Sequence, residues 1–200
     1  NYLHKIIINK PKKMLHIITG LNSGGAEIML LKLIKHMDNS LFCNEVISLS
    51  NLGLIGRELC SFGVSVNALG MRPHPSSLFK ILKLFLLVLR SKPDIVQTWM
   101  YHSDLLGGIV ARLCGIHKIC WNIRHCNLDI DKNKTSTLIV VRLCSILSSI
   151  LPSKIICNSI TGMQNHTLFG YYSGNFCVIP NGFETNKFFP NLEIRRQTRA

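Results

Sequence analysis

The chain has 200 residues, 47% of them hydrophobic, and a formal net charge of +13. This length suits one domain with its own core, and a mean hydropathy of +0.25 argues against disorder. The 23 basic residues against 10 acidic ones predict an anionic partner, either a phosphorylated ligand or an anionic membrane surface. Because no nucleic-acid-binding signature accompanies the charge, nucleic acid is not predicted as a partner.

The cysteines and the first residues bear on the compartment of the protein. Eight cysteines form no CxxC pair and lie mostly in apolar segments, which suits a reducing cytoplasm and predicts neither a disulfide framework nor a metal site. Residues 1–13 lack a long apolar segment, so they are interpreted as an extension outside the fold, which would begin at Met14. We expect a cytoplasmic protein, with peripheral binding at the inner face of the cell membrane as a further hypothesis.

Residues 14–37 predict a strand, a glycine-rich turn and an amphipathic helix. The apolar run LHII, with two β-branched residues, is typical of a central strand in a parallel sheet. Apolar side chains then recur at helical spacing after the turn. Gly24 and Gly25 would let a ligand approach the backbone closely, and the free N–H groups at the helix start favour an anion.

Strands and helices alternate along the rest of the sequence. Further strands are predicted at residues 45–50, 64–69, 94–99, 118–123, 154–157 and 176–179. Helices are predicted at residues 55–62, 76–91, 104–113, 135–151 and 160–169, and a last one begins at 194. This alternation predicts an α/β fold with a doubly wound, parallel, Rossmann-like sheet.

The helix that Ser76 would cap is largely apolar, but Lys80, Lys83 and Arg90 interrupt it. The first interpretation is a crossover helix packed on the core. The second is a helix that lies in the interface of a membrane. Its length is below the roughly 18 uncharged residues that a membrane-spanning helix needs, so it is not predicted to cross a bilayer.

Ligands of open α/β sheets bind beyond the carboxyl ends of the strands. Polar residues follow five of the predicted strands and would lie along that one edge: residues 22–27, 102–104, 124–125, 158–159 and 181–184. This convergence predicts a binding site at the edge of the sheet.

Several residues at this edge have an ordinary structural interpretation beside a functional one. Glu27 would either complement the helix dipole or contact a substrate hydroxyl. Arg124 and His125 form a cationic pair that could attract phosphate, or they are solvated in a loop. Ser159 would cap a helix, contact substrate, or both.

Several enzyme classes are excluded by the motifs that are missing. The sequence has no G-x-S-x-G elbow, no Walker lysine and no G-x-G-x-x-G fingerprint. A hydrolase, a P-loop enzyme and an NAD dehydrogenase are therefore not predicted.

The ordered set of motifs resembles the family-four glycosyltransferases, which have the GT-B architecture of two Rossmann-like domains. The motifs are LNSGGAE, DIVQTWMYHSDLLGGIVARLCG, WNIRH, ICNS and VIPNGFETNKFFP. They cover residues 14–190, the whole of an amino-terminal domain. The resemblance implies retaining transfer of a sugar from a nucleotide-sugar donor to a cell-surface glycan or lipid-linked acceptor, with no metal cofactor.

The resemblance also implies roles for single residues. Gly24, Gly25 and Glu27 match the loop that approaches the donor phosphate, and His125 matches a histidine after the fifth strand. Asn181 matches the segment that leads out of the domain.

The sequence departs from the family pattern after the fourth strand. Gln97 and Trp99 occupy the positions of a V-H-x-H pattern, and His102 follows three residues later. His102 is therefore the candidate catalytic residue.

The resemblance further implies a second domain, which would bind the nucleotide and supply a pair of glutamates. The predicted boundaries are residues 14–182 for the acceptor-side domain and 183–200 for the start of a linker. The chain would then be a fragment that is inactive alone. The alternative is a non-catalytic α/β module that binds a phosphorylated or lipid ligand.

Overall fold

A computed structural model describes residues 10–71, 77–125, 128, 134–185 and 189–199. Within this described part, seven strands alternate with helices. The strands are β1 (Lys12–Ile18), β2 (Phe42–Ser48), β3 (Ser65–Ala68), β4 (Ile95–Trp99), β5 (Ile119–Ile123), β6 (Lys154–Cys157) and β7 (Phe176–Val178). The helices are α1 (Gly25–His36), α2 (Gly53–Ser61), α3 (Ser77–Ser91), α4 (Tyr101–Leu113), α5 (Thr135–Leu147), α6 (Ile160–Leu168) and α7 (Leu192–Arg199). Ser76, the predicted cap of α3, lies outside the described residues.

The strands form one parallel sheet in the order β3-β2-β1-β4-β5-β6-β7. This confirms the prediction of a doubly wound, Rossmann-like α/β fold. The strand order reverses between β1 and β4, so this pair forms the switch point at which such sheets bind ligands.

The first strand begins two residues before the predicted boundary at Met14. Lys12 and Lys13 extend β1, and they lie opposite Phe42 and Cys43 of β2. Lys13 Nζ is also 2.7 Å from a carboxylate oxygen of Glu45. These two residues of the predicted extension therefore belong to the sheet.

Two apolar clusters cover the two faces of the sheet. On one face α1 and α2 bury Leu30, Ile34 and Leu59. On the other face α3, α4 and α5 bury a larger set of side chains, among them Val110 and Val141. Each face therefore excludes water from the strands that cross it, as both faces of a parallel sheet require.

Two adjacent glycines allow α4 to lie very close to the sheet. A Cβ atom on Gly107 would be 3.1 Å from Ile17 Cδ1, and one on Gly108 would be 2.9 Å from Trp121 Nε1. A side chain at either position would crowd these neighbours, so the two glycines let α4 approach the strands closely.

Helix α3 packs on the core, as the first interpretation of its sequence predicted. Leu84 and Val88 are fully buried against the sheet. Its outward side, however, also carries large apolar side chains, and they remain exposed. None of the described helices is both long and apolar enough to cross a membrane.

Two helix ends differ from the predicted ones by three residues or more. Helix α4 begins at Tyr101, three residues early, because Met100 adopts a left-handed φ of 73° that turns the chain directly into the helix. Helix α5 ends at Leu147, four residues early. Ser148 there donates its hydroxyl to the Ser145 carbonyl, a local bond that competes with helical hydrogen bonding.

Candidate functional site

The glycine loop after β1 and the start of α4 lie side by side at the switch point. The hydroxyls of Thr19 and Ser103 are 3.1 Å apart and join the end of β1 to the first turn of α4. Because β1 and β4 are neighbours, the sheet brings the loop with Gly24 and Gly25 to the same edge as His102.

The glycine loop presents bare backbone at the start of α1. Gly24 is the N-cap residue, and as a glycine it has no side chain that could cap the first N–H groups of the helix. The Glu27 carboxylate folds back over Gly24, where a Cβ atom would collide with it. Gly25 has no atom within 4 Å of the position of a Cβ, so open space lies in front of it. Uncapped N–H groups beside open space form a place for an anion.

A third glycine, which the sequence analysis did not select, packs against the residue that begins this loop. Gly53 has a φ of +58°, and a Cβ there would collide with the Leu21 carbonyl group. The first turn of α2 also bonds to this carbonyl group, because Ile55 N donates a hydrogen bond to Leu21 O over 3.0 Å. The sequence signal that could have identified Gly53 is its position directly before the apolar residues of α2.

His102 is the second residue of α4 and is exposed. The left-handed Met100 makes the turn before it tight, and the N–H groups of Ser103 and Asp104 both donate to the Met100 carbonyl. Partial burial of the imidazole lowers the pKa of His102 below its usual value, so the ring is mostly neutral at pH 7. A neutral imidazole at the open edge can accept a proton from a ligand or donate a hydrogen bond to it.

Arg124 and Asn181, which come from distant parts of the sequence, are brought together. Arg124 Nε donates to Asn122 Oδ1 over 2.7 Å, and its Nη1 donates to Asn181 Oδ1. The guanidinium also lies 5.2 Å from the centre of the Trp99 ring. Burial lowers the pKa of Arg124, but the group stays charged at neutral pH.

His125 and Ser159 are not brought into this group of contacts. His125 is exposed in the loop after β5. Ser159 caps α6, since its hydroxyl accepts a hydrogen bond from Gly162 N over 3.0 Å. The capping role predicted for Ser159 is confirmed, and its contact with substrate stays a prediction.

A cavity of about 520 Å³ opens on the α1 side of the sheet, beside Arg124. Its lining is mainly apolar and includes Met29, Trp99, Ile156 and Phe183. Among the predicted site residues, Arg124 lines it, and so do Gly182, Phe183 and Glu184 of the predicted segment 181–184. The glycine loop and His102 therefore face open surface at the edge, outside this cavity.

Asp104, which the sequence analysis placed with residues 102–104 at the open edge, belongs instead to a buried polar cluster beneath α4, so that prediction is wrong for this residue. Asp104 is fully buried, and its Oδ1 accepts a hydrogen bond of 2.5 Å from Thr98 Oγ1. Asp104 Oδ2 and the Tyr171 hydroxyl are buried without a hydrogen-bond partner in the described part of the chain. Burial raises the pKa of Asp104 well above its usual value. Periodicity does not reveal such a cluster, because an acid at a helix start is usually exposed.

A metal-binding site is not present in residues 10–71, 77–125, 128, 134–185 and 189–199. No three His, Cys, Asp or Glu side chains are grouped there closely enough to hold an ion. The expectation that no metal is needed stays a prediction.

The similarity of this chain to known proteins lies in its fold. No family model matches the chain, and no curated protein matches it. The crystal structure of Anabaena HepE in complex with UDP-glucose aligns with a TM-score of 0.73 and 17% identity, over 94% of this chain and 50% of HepE. The chain has the fold of one half of a GT-B enzyme.

Other solved structures share this half-fold. The lipopolysaccharide outer core galactosyltransferase WaaB aligns with a TM-score of 0.61 and 15% identity, over 86% of this chain and 46% of WaaB. The UDP-N-acetylglucosamine 2-epimerase from Rickettsia bellii aligns with a TM-score of 0.61 and 13% identity, over 86% of this chain and 45% of the epimerase. This chain thus spans about half the length of the proteins it resembles.

Proposed function

We propose that the chain is the acceptor-side domain of a retaining glycosyltransferase. The whole enzyme would move a sugar from a nucleotide-sugar donor to a cell-surface glycan or a lipid-linked acceptor, in the cytoplasm at the inner face of the cell membrane. The observation that carries this proposal is the group of elements at the switch point. There the uncapped start of α1, with its glycines, lies beside His102 at an open edge of the sheet.

The proposal assigns roles by chemistry. The N–H groups after Gly24 would face the donor diphosphate, whose charge suits a helix start. His102 would contact the reacting sugar, where a neutral imidazole can donate a hydrogen bond to a hydroxyl. Arg124 and His125 would add positive charge near the phosphates. Glu27 and Ser159 would contact substrate hydroxyls, and no metal is needed in this scheme.

A second domain is part of the proposal. An open edge excludes water poorly, and stabilisation of a leaving diphosphate is stronger when water is excluded. The likeness to half of HepE supports an opposing domain that closes this edge. Residues 183–200 would lead into it, and it would bind the nucleotide and supply the two glutamates.

The first experiment reads the gene beyond Ala200 and assays its complete product. That product and the 200-residue chain are each incubated with UDP-glucose, UDP-galactose or UDP-N-acetylglucosamine labelled in the sugar, together with extracted membranes. We expect label in the glycolipid fraction for the complete product only. Transfer by the 200-residue chain alone would contradict the proposed need for a second domain. Conversion of UDP-N-acetylglucosamine to its C2 epimer, without transfer, would make the protein an epimerase instead.

The non-catalytic module is tested by the same reading of the gene. A second Rossmann-like segment with two glutamates separated by seven residues supports the enzyme. A stop codon directly after Ala200 in an intact gene supports the module. Retention is tested separately, by comparing the anomeric configuration of the product with that of the donor by NMR.

Two variants of the complete product test the site. His102→Ala should lower kcat by about a hundredfold or more, since one positioned acid–base group contributes about 10²–10⁴-fold. His117→Ala, an exposed histidine just beyond the other end of α4, is the matched control and should leave kcat unchanged. Gly25→Ala should raise KM for the donor without loss of stability, because its new methyl group enters open space. Equal kcat for the two histidine variants would remove His102 from the mechanism.

A further inference from the structure

The outward side of α3 is an uncovered apolar stripe. The helix already buries Leu84 and Val88 against the sheet. Successive turns on the opposite side carry Leu78 (72% exposed), Phe79 (78%), Leu82 (56%), Leu86 (39%) and Leu89 (45%). An amphipathic surface helix would place polar residues there. Helix α3 instead has apolar side chains on two opposite sides, and the outer set has no partner within the described part of the chain.

Helices α4 and α5 extend this surface. The Cys114 thiol donates to the Phe85 carbonyl of α3 over 3.8 Å, and Arg112 Nη2 donates to the Leu151 carbonyl just after α5 over 3.1 Å. The end of α4 therefore lies between the other two helices, and it exposes Leu113. Helix α5 adds a second stripe, since Ile139, Leu143 and Ile146 recur at helical spacing and are all exposed. The outward sides of α3, α4 and α5 together are called the outer apolar face.

The charges of this face all have one sign. Lys83 and Arg90, seven residues apart, lie along one border of the α3 stripe and are exposed. Neither forms an ion pair with another described residue. Asp104 is the one acidic residue within α3, α4 and α5, and it is fully buried. The exposed Asp38 and the half-buried Glu58 lie with α1 and α2, on the other side of the sheet. Glu45, which accepts a hydrogen bond from Ser91 at the end of α3, is paired with Lys13.

We propose that the outer apolar face docks on an anionic lipid bilayer. Leucine and phenylalanine side chains on such a face enter the boundary between headgroups and acyl chains, and lysine and arginine at its border meet lipid phosphates. A second copy of the chain fits less well, because it would bring two uncompensated positive borders together. The face lies away from the α1 side of the sheet, so docking leaves the cavity beside Arg124 accessible. The inference gives a surface to the membrane location proposed above, but it depends on neither the sugar nor the reaction.

Vesicle sedimentation of the 200-residue chain tests the proposal. The probes are vesicles of phosphatidylcholine mixed with phosphatidylglycerol, and vesicles of phosphatidylcholine alone. We expect binding to the mixed vesicles that weakens in high salt, because salt screens the attraction. The double variant L82S/L86S should bind at least about tenfold more weakly, since two inserted leucines are lost. L41S/L54S removes two leucines that are 58% and 59% exposed away from this face, and it should bind like the parent chain.

A second pair of variants separates the local charge from the total charge. K83E/R90E should abolish the preference for mixed vesicles. K10E/R57E changes the net charge by the same amount at exposed positions outside the outer apolar face, and it should keep that preference. Circular dichroism verifies that each variant is folded.

Three results would overturn the proposal. The first is absence of binding to mixed vesicles at low salt. The second is equal binding by L82S/L86S and its control. The third is a dimer of the parent chain in light scattering that L82S/L86S dissociates, which would assign the face to a second copy. None of these measurements involves sugar transfer, so their outcome is distinct from that of the transferase assays.

Discussion

Burial gives the Asp104 carboxyl group a pKa well above its ordinary value. It lies fully buried at the start of α4, with one carboxyl oxygen bonded to Thr98 and the other without a partner among the described residues. Loss of hydration disfavours the charged form, so the folded state holds the proton to a pKa well above the usual value. The unfolded chain releases this proton near its ordinary pKa. Asp104 therefore stabilises the fold at low pH, and this contribution is lost as pH rises towards the folded pKa.

Asp104→Asn removes the titration but keeps an acceptor for Thr98. We expect the free energy of unfolding of the variant, relative to that of the parent, to increase with pH above about 4. The slope should reach at most about 1.4 kcal/mol per pH unit, which is the value for one proton. Urea unfolding at several pH values between acid and neutral measures it. A difference that stays constant with pH would show that Asp104 is ionised in the folded state.

Asp38→Asn is the control with the opposite sign. Asp38 is exposed, and hydrogen bonds from the Ser40 hydroxyl and N–H lower its pKa. A lowered pKa contributes stability above the ordinary pKa, and the contribution disappears as pH falls through the folded value. The loss of stability in this variant should therefore be larger at neutral pH than in acid.

At the scale of an element, the glycine loop depends on the start of α2. Gly53→Ala places a Cβ at a φ of +58° and against the Leu21 carbonyl group. Gly63→Ala faces a similar φ of +78° but has no atom within 4 Å of its Cβ. Backbone strain alone costs about 1–2 kcal/mol. We expect Gly63→Ala to lower the free energy of unfolding, measured in urea, by about 1–2 kcal/mol, and Gly53→Ala to lower it clearly more. Equal losses would mean that the loop moves away from the new methyl group at no cost.

The loop after β7 depends on Arg124 in the same way. Its guanidinium joins Asn122 of β5 to Asn181 and stacks on Trp99. Lysine has one compact charge and no planar fork, so Arg124→Lys cannot make these contacts together. We expect faster amide hydrogen exchange in residues 179–184 and a loss of about 1–2 kcal/mol in stability. Arg142→Lys, at an exposed arginine bonded to the Phe169 carbonyl, is the matched control and should leave that exchange unchanged.

At the scale of the whole molecule, the sequence was sufficient for the architecture. The alternation of strand and helix patterns predicted the parallel sheet, because each pattern reflects local geometry and burial. The early start of α4 was not predictable, since it depends on a left-handed Met100 that sheet neighbours hold in place. The start of β1 at Lys12 was missed for a similar reason, because only pairing with β2 recruits these lysines.

The candidate site was predictable in outline and less so in detail. Parallel strands bring their carboxyl ends to one edge, so the shared location of Gly24, Gly25 and His102 followed from topology alone. The contact between Arg124 and Asn181 spans 57 residues of sequence and required coordinates. The same is true of the buried Asp104, because which side of α4 faces the sheet is decided by packing around Gly107 and Gly108.

The central position of β1 has a consequence for the synthesis of the protein. Met14 lies opposite Asn44 on one side and Ile95 on the other, so β1 acquires its second neighbour, β4, much later in synthesis than its first neighbour, β2. Roughly 80 residues separate β1 from β4, which corresponds to about 4–16 s of translation at about 5–20 residues per second. During that interval one side of an apolar strand has unpaired backbone groups, which is the kind of edge that attracts other chains. A nascent chain stalled before β4 should therefore bind chaperones more strongly than one released after β5.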